Sequence, residues 1–155
     1  MTTTAGVICE KDKVGLSIVE VGEVVAVLLE DDVRPPASHG ERPRQLLYMY
    51  DEMVSLLESH KPDLVFVKHA VAGRFAADPQ RYELGGIVQL ACARQKVLCD
   101  LLTTDQVRKA MGAVKETGAY DRLLEAPDVM ARSNKARREQ YLFAIAAART
   151  LTGVR

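Results

Sequence analysis

Residues 61–68 read KPDLVFVK, and this short stretch indicates the architecture more strongly than any other part of the chain. Proline at position 62 disfavours a helical conformation for the residue before it, so a preceding helix should end here. The apolar run 64–67 shows no polar alternation, which is typical of a strand that is buried on both faces within a parallel sheet. The strand closes on Lys68, a charged residue at the end of an apolar core element.

Three further strands precede this one and another follows it. Apolar or alternating runs at residues 5–9, 14–18 and 23–29 are separated by segments short enough for hairpin turns. We expect these three strands to form an antiparallel meander. The run VLCDLL at residues 97–102 predicts a fifth strand.

Helices are predicted in the intervals between and after the later strands. Apolar residues recur at the spacing of one helical face at Leu46, Tyr50, Met53 and Leu57, which predicts a helix from near Pro43 to Lys61. A second helix should run from Pro79 to about Gln95, where Gly85 and Gly86 would allow close approach to the sheet.

The C-terminal part of the chain should contain two more helices. Thr104 is predicted to cap a short helix at residues 105–111, and a final helix should begin near Asn134. The segment 112–133 is polar and irregular apart from 120–124. With the short helix and the final helix counted as one C-terminal helical segment, the order of elements is β-β-β-α-β-α-β-α. This is an α/β chain whose length of 155 residues fits one domain, residues 1–155.

Composition excludes several classes of protein. No apolar stretch approaches 20 residues, which argues against a membrane span, and the N-terminus lacks the pattern of a secretory signal. The three cysteines, Cys9, Cys92 and Cys99, are odd in number and lack CxxC spacing, so we expect free thiols in a reducing cytoplasm and no metal site.

The formal net charge of zero hides an asymmetry between the two halves of the chain. Residues 1–67 carry six basic and twelve acidic side chains, which leaves fifteen basic and nine acidic residues of the totals of 21 and 21 for residues 68–155. Such a division is compatible with a basic face that meets phosphate, or with two halves that attract each other.

Four anchors give the chain a resemblance to the RuvC-like Holliday-junction resolvases of the ribonuclease H-like superfamily. They are the opening strand and hairpin at residues 6–18, the strand at 61–68, the glycine-containing helix at 84–88, and the terminal helix RREQYLFAIA at 137–146. The chain looks closer still to a small bacterial branch that also has lysine at the end of the fourth strand. The resemblance implies a ribonuclease H-like fold with a mixed five-stranded sheet in the order 3-2-1-4-5.

The resemblance also implies which residues should form the site. Enzymes of this family bind two divalent metal ions through carboxylates from the first strand, the fourth strand and the last helix. In this sequence those positions fall on Ile8 or Cys9, on Lys68, and near Glu139, with Glu10 beside the first. Lysine would repel a divalent cation, so the resemblance implies a degenerate site with no metal, and Mg²⁺ only if the chain is a nuclease with relocated ligands.

Strands 1 and 4 are neighbours in this sheet order, so Cys9, Glu10, Lys68 and His69 should end close together. Three interpretations remain open. Lys68 pairs with Glu10 or Glu139 in place of the metal; or Lys68 and Arg74 receive a phosphate; or Cys9 and His69 form a nucleophilic pair.

We expect a binding or assembly module rather than an enzyme, with nucleic acid as the candidate partner. The basic residues that could contact phosphate are Lys68, Arg74, Arg81, Arg132, Lys135, Arg137 and Arg138. Two alternatives are an active metal-dependent nuclease and a purely structural homodimer.

Overall fold

The computed structural model describes residues 1–69 and 78–153. Five strands form one sheet in the order β3-β2-β1-β4-β5, which confirms the predicted arrangement. Their bounds are β1 Thr2–Cys9, β2 Val14–Val21, β3 Val25–Val33, β4 Leu64–Lys68 and β5 Leu98–Leu102. The first three strands pair antiparallel, whereas β1 with β4 and β4 with β5 pair parallel.

Six helices accompany the sheet within the described residues. They are α1 Arg42–His60, α2 Pro79–Arg94, α3 Thr104–Ala110, α4 Ala119–Leu124, α5 Pro127–Met130 and α6 Lys135–Thr152. The segment predicted to be irregular, 112–133, therefore contains two short helices. None of the helices seen in residues 1–69 and 78–153 has the length and hydropathy that crossing a bilayer requires.

The cap of α3 differs from the prediction by one residue. The hydroxyl of Thr103, not Thr104, accepts a hydrogen bond from the Gln106 backbone N–H at 3.2 Å. The Gln106 side chain in turn accepts from the Thr103 backbone N–H at 2.8 Å. This reciprocal capping box satisfies two N–H groups at once, which Thr104 could not do without a glutamine or glutamate at position 107.

The sheet is covered on both faces, as the apolar run of β4 predicted. Val65 and Val67 belong to the core formed with α1 and α2. Leu64 and Phe66 belong to a second core, on the opposite face, that is dominated by α6. All four side chains are buried, because successive residues of a strand point to opposite faces.

The closest contact between a helix and the sheet is made by α6 on β1. A Cβ atom added at Gly6 would lie 1.9 Å from the Gln140 carbonyl oxygen and 2.6 Å from the Ala144 nitrogen. The Thr4 hydroxyl donates to the Ala144 carbonyl at 2.7 Å in the same buried contact. The backbone of α6 thus rests directly on β1.

The expectation that Gly85 and Gly86 allow close approach to the sheet is wrong. A Cβ atom at either position would meet nothing within 4 Å. The reason is that α2 keeps larger buried side chains, including Leu84 and Val88, between its backbone and the strands.

We predict that Gly6→Ala lowers the free energy of unfolding by about 3 kcal/mol or more, because the added methyl group meets backbone atoms that cannot move independently. The matched control is Gly86→Ala, which adds the same methyl group within a helix and in open space. The control should stabilise the protein by about 0.5–1 kcal/mol. Urea unfolding measures both changes, and a Gly6→Ala protein as stable as wild type would contradict the contact.

Candidate functional site

The parallel pairing of β1 with β4 brings the predicted site residues to one edge of the sheet. Val7 pairs with Val67, so Ile8, Cys9 and Glu10 emerge beside Lys68 and His69. The first turns of α6 reach the same edge because the helix packs on Gly6.

These elements enclose a cavity of about 360 Å³, here termed the Lys68 cavity. Strand β1 and its following turn contribute residues 8–10, and β4 contributes Lys68 with His69 after it. The helices contribute Arg81, Lys135, Ala136 and Glu139. The predicted convergence of Cys9, Glu10, Lys68 and His69 is therefore confirmed.

An ion pair between Lys68 and Glu139 occupies the inner wall of the cavity. The Lys68 Nζ lies 2.6 Å from the Glu139 Oε2. The Glu139 side chain is 10% exposed and that of Lys68 is 33% exposed, so the carboxylate is nearly removed from water while the ammonium still faces the cavity. Of the two partners that the sequence left open for Lys68, the structure brings Glu139 into contact.

Tyr120 also contacts this ion pair, and nothing in the amino-acid sequence predicted that contact. Its hydroxyl donates to the Glu139 Oε2 at 3.2 Å. Burial, and secondly the negative charge of Glu139, raise the pKa of the Tyr120 hydroxyl, which therefore remains a proton donor. Tyr120 reaches Glu139 only because α4 packs near α6, and no local pattern around residue 120 indicates that contact.

Glu10 has a cationic partner of its own. Its Oε2 lies 3.5 Å from the Lys13 Nζ, which also lies 3.7 Å from the Asp32 Oδ2. Both carboxylates of the cavity are thus neutralised by lysines. The exposed residues Arg81 and Lys135 have no carboxylate within 4 Å among the described residues, so the cavity should attract anions.

The other basic candidates lie elsewhere. Arg132 pairs with Glu30 at 3.3 Å and stacks on the ring of Tyr141. Arg137 pairs with Asp32 at 3.2 Å and donates to the Asp31 carbonyl at 2.8 Å. These contacts join the basic half of the chain to the acidic half.

Arg138 does not line the Lys68 cavity either. Arg138 is half-buried, and its Nε donates to the Arg132 carbonyl at 3.4 Å. Arg74 lies outside the described residues. Of the six predicted basic residues that the structure describes, it brings together three at the cavity: Lys68, Arg81 and Lys135.

The buried environment of the Cys9 thiol does not favour a Cys9–His69 nucleophilic pair. Both residues line the Lys68 cavity, but burial, assisted by the charge of Cys99, raises the pKa of the Cys9 thiol to about 12. A thiol with that pKa is almost entirely protonated at neutral pH and is a poor nucleophile.

The donor set does not suit a divalent metal ion either. Within residues 1–69 and 78–153, no group of three or more His, Cys, Asp or Glu side chains is arranged to hold a metal. The Glu139 carboxylate is already bonded to an ammonium, and Ile8 has no ligand atom. A divalent cation placed there would be repelled by Lys68.

A larger cavity, of about 570 Å³, lies between α3 and α4. Its buried cation, Arg108, is already bonded to the Asp105 carboxylate and to the Ala113 carbonyl. Acidic residues 105, 116 and 121 line the rest of it together with Lys115. Its lining carries three acidic and two basic side chains, and its buried cation is already bonded, so we place the candidate anion site at the Lys68 cavity.

We predict a coupling energy of about 1–3 kcal/mol between Lys68 and Glu139. Removing either side chain leaves the polar group of the other without a partner and poorly solvated. A double-mutant cycle of Lys68→Met and Glu139→Gln, followed by urea unfolding, measures it. The matched control is the Arg44–Glu41 pair, whose side chains are 74% and 79% exposed and should couple by about 0.5 kcal/mol or less. Equal coupling in the two pairs would contradict the assignment.

The described fold resembles that of known resolvases. No family model matches the chain. Crossover junction endodeoxyribonuclease RuvC of Mycobacterium sp. strain KMS is 29% identical over 100 residues, which is 63% of this chain and 54% of that protein. RuvC of strain JLS matches equally. The chain thus spans about half the length of the curated relatives it matches.

Solved structures extend the likeness to the whole fold. Thermus thermophilus RuvC has a TM-score of 0.74 at 16% identity, covering 98% of this chain and 96% of that one. T. thermophilus RuvC in complex with a Holliday junction substrate has a TM-score of 0.71 at 19% identity, covering 99% and 97%. The chain therefore has the ribonuclease H-like fold in the form found in the RuvC Holliday-junction resolvases.

Proposed function

We propose that this chain is a catalytically inactive, single-domain relative of the RuvC resolvases that binds a phosphate group of nucleic acid in the Lys68 cavity. The observation that carries the proposal is the 2.6 Å ion pair between Lys68 and Glu139. A fixed ammonium lies beside the carboxylate, at the place where the resemblance implies a metal ion.

The cavity offers several donors to a phosphate. An ammonium has three N–H donors, and Glu139 accepts from one of those on Lys68, which leaves two for phosphate oxygens. Arg81 and Lys135 add two exposed positive charges. Lys135 and Ala136 also belong to the first turn of α6, where the positive end of the helix dipole favours anions.

The same arrangement explains why binding would not lead to cleavage. Hydrolysis by two metal ions requires carboxylates that hold the ions and a metal-bound water that attacks phosphorus. Lys68 can stabilise the negative charge of a bound phosphate, but an ammonium does not activate water as a bound metal ion does.

We predict no cleavage of branched, duplex or RNA–DNA hybrid substrates above background with Mg²⁺ or Mn²⁺, because the cavity lacks a metal-binding set of carboxylates. The assay compares wild type with Glu139→Ala purified in parallel, which controls for contaminating nucleases. Cleavage by wild type that Glu139→Ala abolishes would overturn the proposal and support the alternative of a nuclease with relocated ligands.

We predict that nucleic-acid binding weakens with salt and that Arg81→Ala and Lys135→Ala each reduce the slope of log affinity against log salt by about 1, the value for one phosphate contact. Fluorescence anisotropy over a series of salt concentrations measures the slope. The matched control is Arg94→Ala, an exposed arginine of the same helix as Arg81 but 13 residues and so about 20 Å farther along it.

The control variant should bind like wild type. An equal reduction of the salt-dependence slope in Arg94→Ala and Arg81→Ala would indicate non-specific attraction of nucleic acid rather than a site at the cavity. An absence of salt-dependent binding in wild type would exclude phosphate recognition and leave the structural homodimer as the surviving alternative.

A further inference from the structure

A second, smaller cavity adjoins the Lys68 cavity. It has a volume of about 60 Å³ and is here termed the Tyr82 pocket. The two cavities share four lining residues, which are Cys9, Lys68, His69 and Arg81. The Tyr82 pocket is lined in addition by three residues of α2 and one of β5, which are Tyr82, Gly85, Gln89 and Leu101. A ligand whose phosphate lies beside Lys68 can therefore place a neighbouring group in the Tyr82 pocket.

The chemistry of the Tyr82 pocket suits a nucleobase. Tyr82 is exposed and offers a ring on which a base can stack, while Leu101 adds apolar surface. The side-chain amide of Gln89 donates one N–H to the Gly85 carbonyl at 3.1 Å. An amide carries two N–H donors and an acceptor, so this bond leaves polar groups for the edge of a base.

Gly85 gives the pocket its space. Tyr82, Gly85 and Gln89 are separated by three and four residues, so they lie on one face of α2. A Cβ atom at Gly85 would meet nothing within 4 Å, and it would stand between the other two side chains on the face that lines the pocket. Close packing on the sheet does not require this glycine, whereas an open pocket does.

The size of the pocket limits what can enter it. A water molecule takes up about 30 Å³ in the liquid, so a pocket of about 60 Å³ admits the edge of a single base and not a base pair. In a duplex the hydrogen-bonding edge of each base is occupied by its partner. Only an unpaired base can turn that edge towards Gln89.

We propose that the Lys68 cavity and the Tyr82 pocket together bind one unpaired nucleotide of a nucleic-acid strand, with its phosphate beside Lys68 and its base on Tyr82. This inference rests on the proposed function, because it needs the phosphate site. It adds the class of ligand, which is a single strand or an unpaired segment rather than a uniform duplex. Stacking of one base on an aromatic side chain should raise the affinity about tenfold.

The experiment compares two fluorescent probes of equal charge, an oligothymidylate and an abasic oligonucleotide of the same length. Both carry the same phosphates, so the ratio of their affinities isolates the contribution of the bases. We expect wild type to bind the oligothymidylate about tenfold more tightly. The slope of log affinity against log salt should be the same for the two probes, because it reports phosphate contacts alone.

Gly85→Leu should remove the preference for the oligothymidylate, because the new side chain fills the pocket without meeting protein atoms. The matched control is Gly86→Leu, which makes the same change at the next helical position, in open space and outside the lining of the pocket. The control should keep the preference. Leucine favours a helix over glycine, so urea unfolding should show both variants to be at least as stable as wild type.

Tyr82→Ala provides a second test that leaves the pocket open. It should lower the preference as Gly85→Leu does, whereas Tyr82→Phe keeps the ring and should retain the preference. A third probe is the blunt duplex of the oligothymidylate with its complement. Gly85→Leu should bind this duplex as wild type does, because paired bases do not reach the pocket.

Four results would overturn the inference: equal affinity of wild type for the two single-stranded probes, a preference that survives Gly85→Leu or Tyr82→Ala, an equal loss of preference in Gly86→Leu, or weaker duplex binding by Gly85→Leu. Salt-dependent binding in any of these cases would still support the phosphate site. An absence of binding to every probe at low salt would instead overturn the proposed function, and this inference with it.

Discussion

The structure depends on the direct packing of α6 against β1 at Gly6. Because no side chain intervenes there, the helix backbone lies closer to the strand than ordinary helix–sheet packing allows. The bond from the Thr4 hydroxyl to the Ala144 carbonyl holds this contact in the same buried layer. The position of α6 along β1 then decides where Glu139 lies, directly before Gln140 of the contact and at the carboxyl edge of the sheet.

Because of that placement, a lysine at position 68, where the resemblance implies an acid, changes the charge of the site. Glu139 is nearly buried and needs a positive partner, since an unpaired charge in that environment is costly. Lys68, at the end of β4, supplies that positive charge from the protein itself, so no exchangeable ion is needed. Tyr120 adds a hydrogen bond to Glu139. A buried ion pair of this kind is weak evidence for stability. The ion pair matters for function because it holds the ammonium of Lys68 inside a cavity that opens to solvent.

The charge asymmetry of the chain is partly resolved by two arginines at and just before the start of α6. Arg132 and Arg137 meet Glu30 and Asp32 of β3, so part of the basic surplus holds the second half of the chain against the first. Both arginines are among the residues predicted to contact phosphate, yet the cavity is lined by Arg81 and Lys135 instead. Charge counts along a chain cannot distinguish an arginine that forms an ion pair within the protein from one that could contact phosphate. The role depends on which strand lies opposite the arginine.

The sequence by itself determined the order of elements, the sheet order, the burial of β4 and the approach of Lys68 to Cys9, Glu10 and His69. The order of elements and the burial of β4 follow from local periodicity. The sheet order is what the family resemblance implies, and with that order the rule that parallel strands end at one edge brings these residues together. Tertiary structure alone decided that Glu139 rather than Glu10 pairs with Lys68, that Tyr120 joins them, and that Gly6 rather than Gly85 admits a close contact. Those outcomes depend on distances between elements far apart in the chain, which packing sets and local pattern does not record.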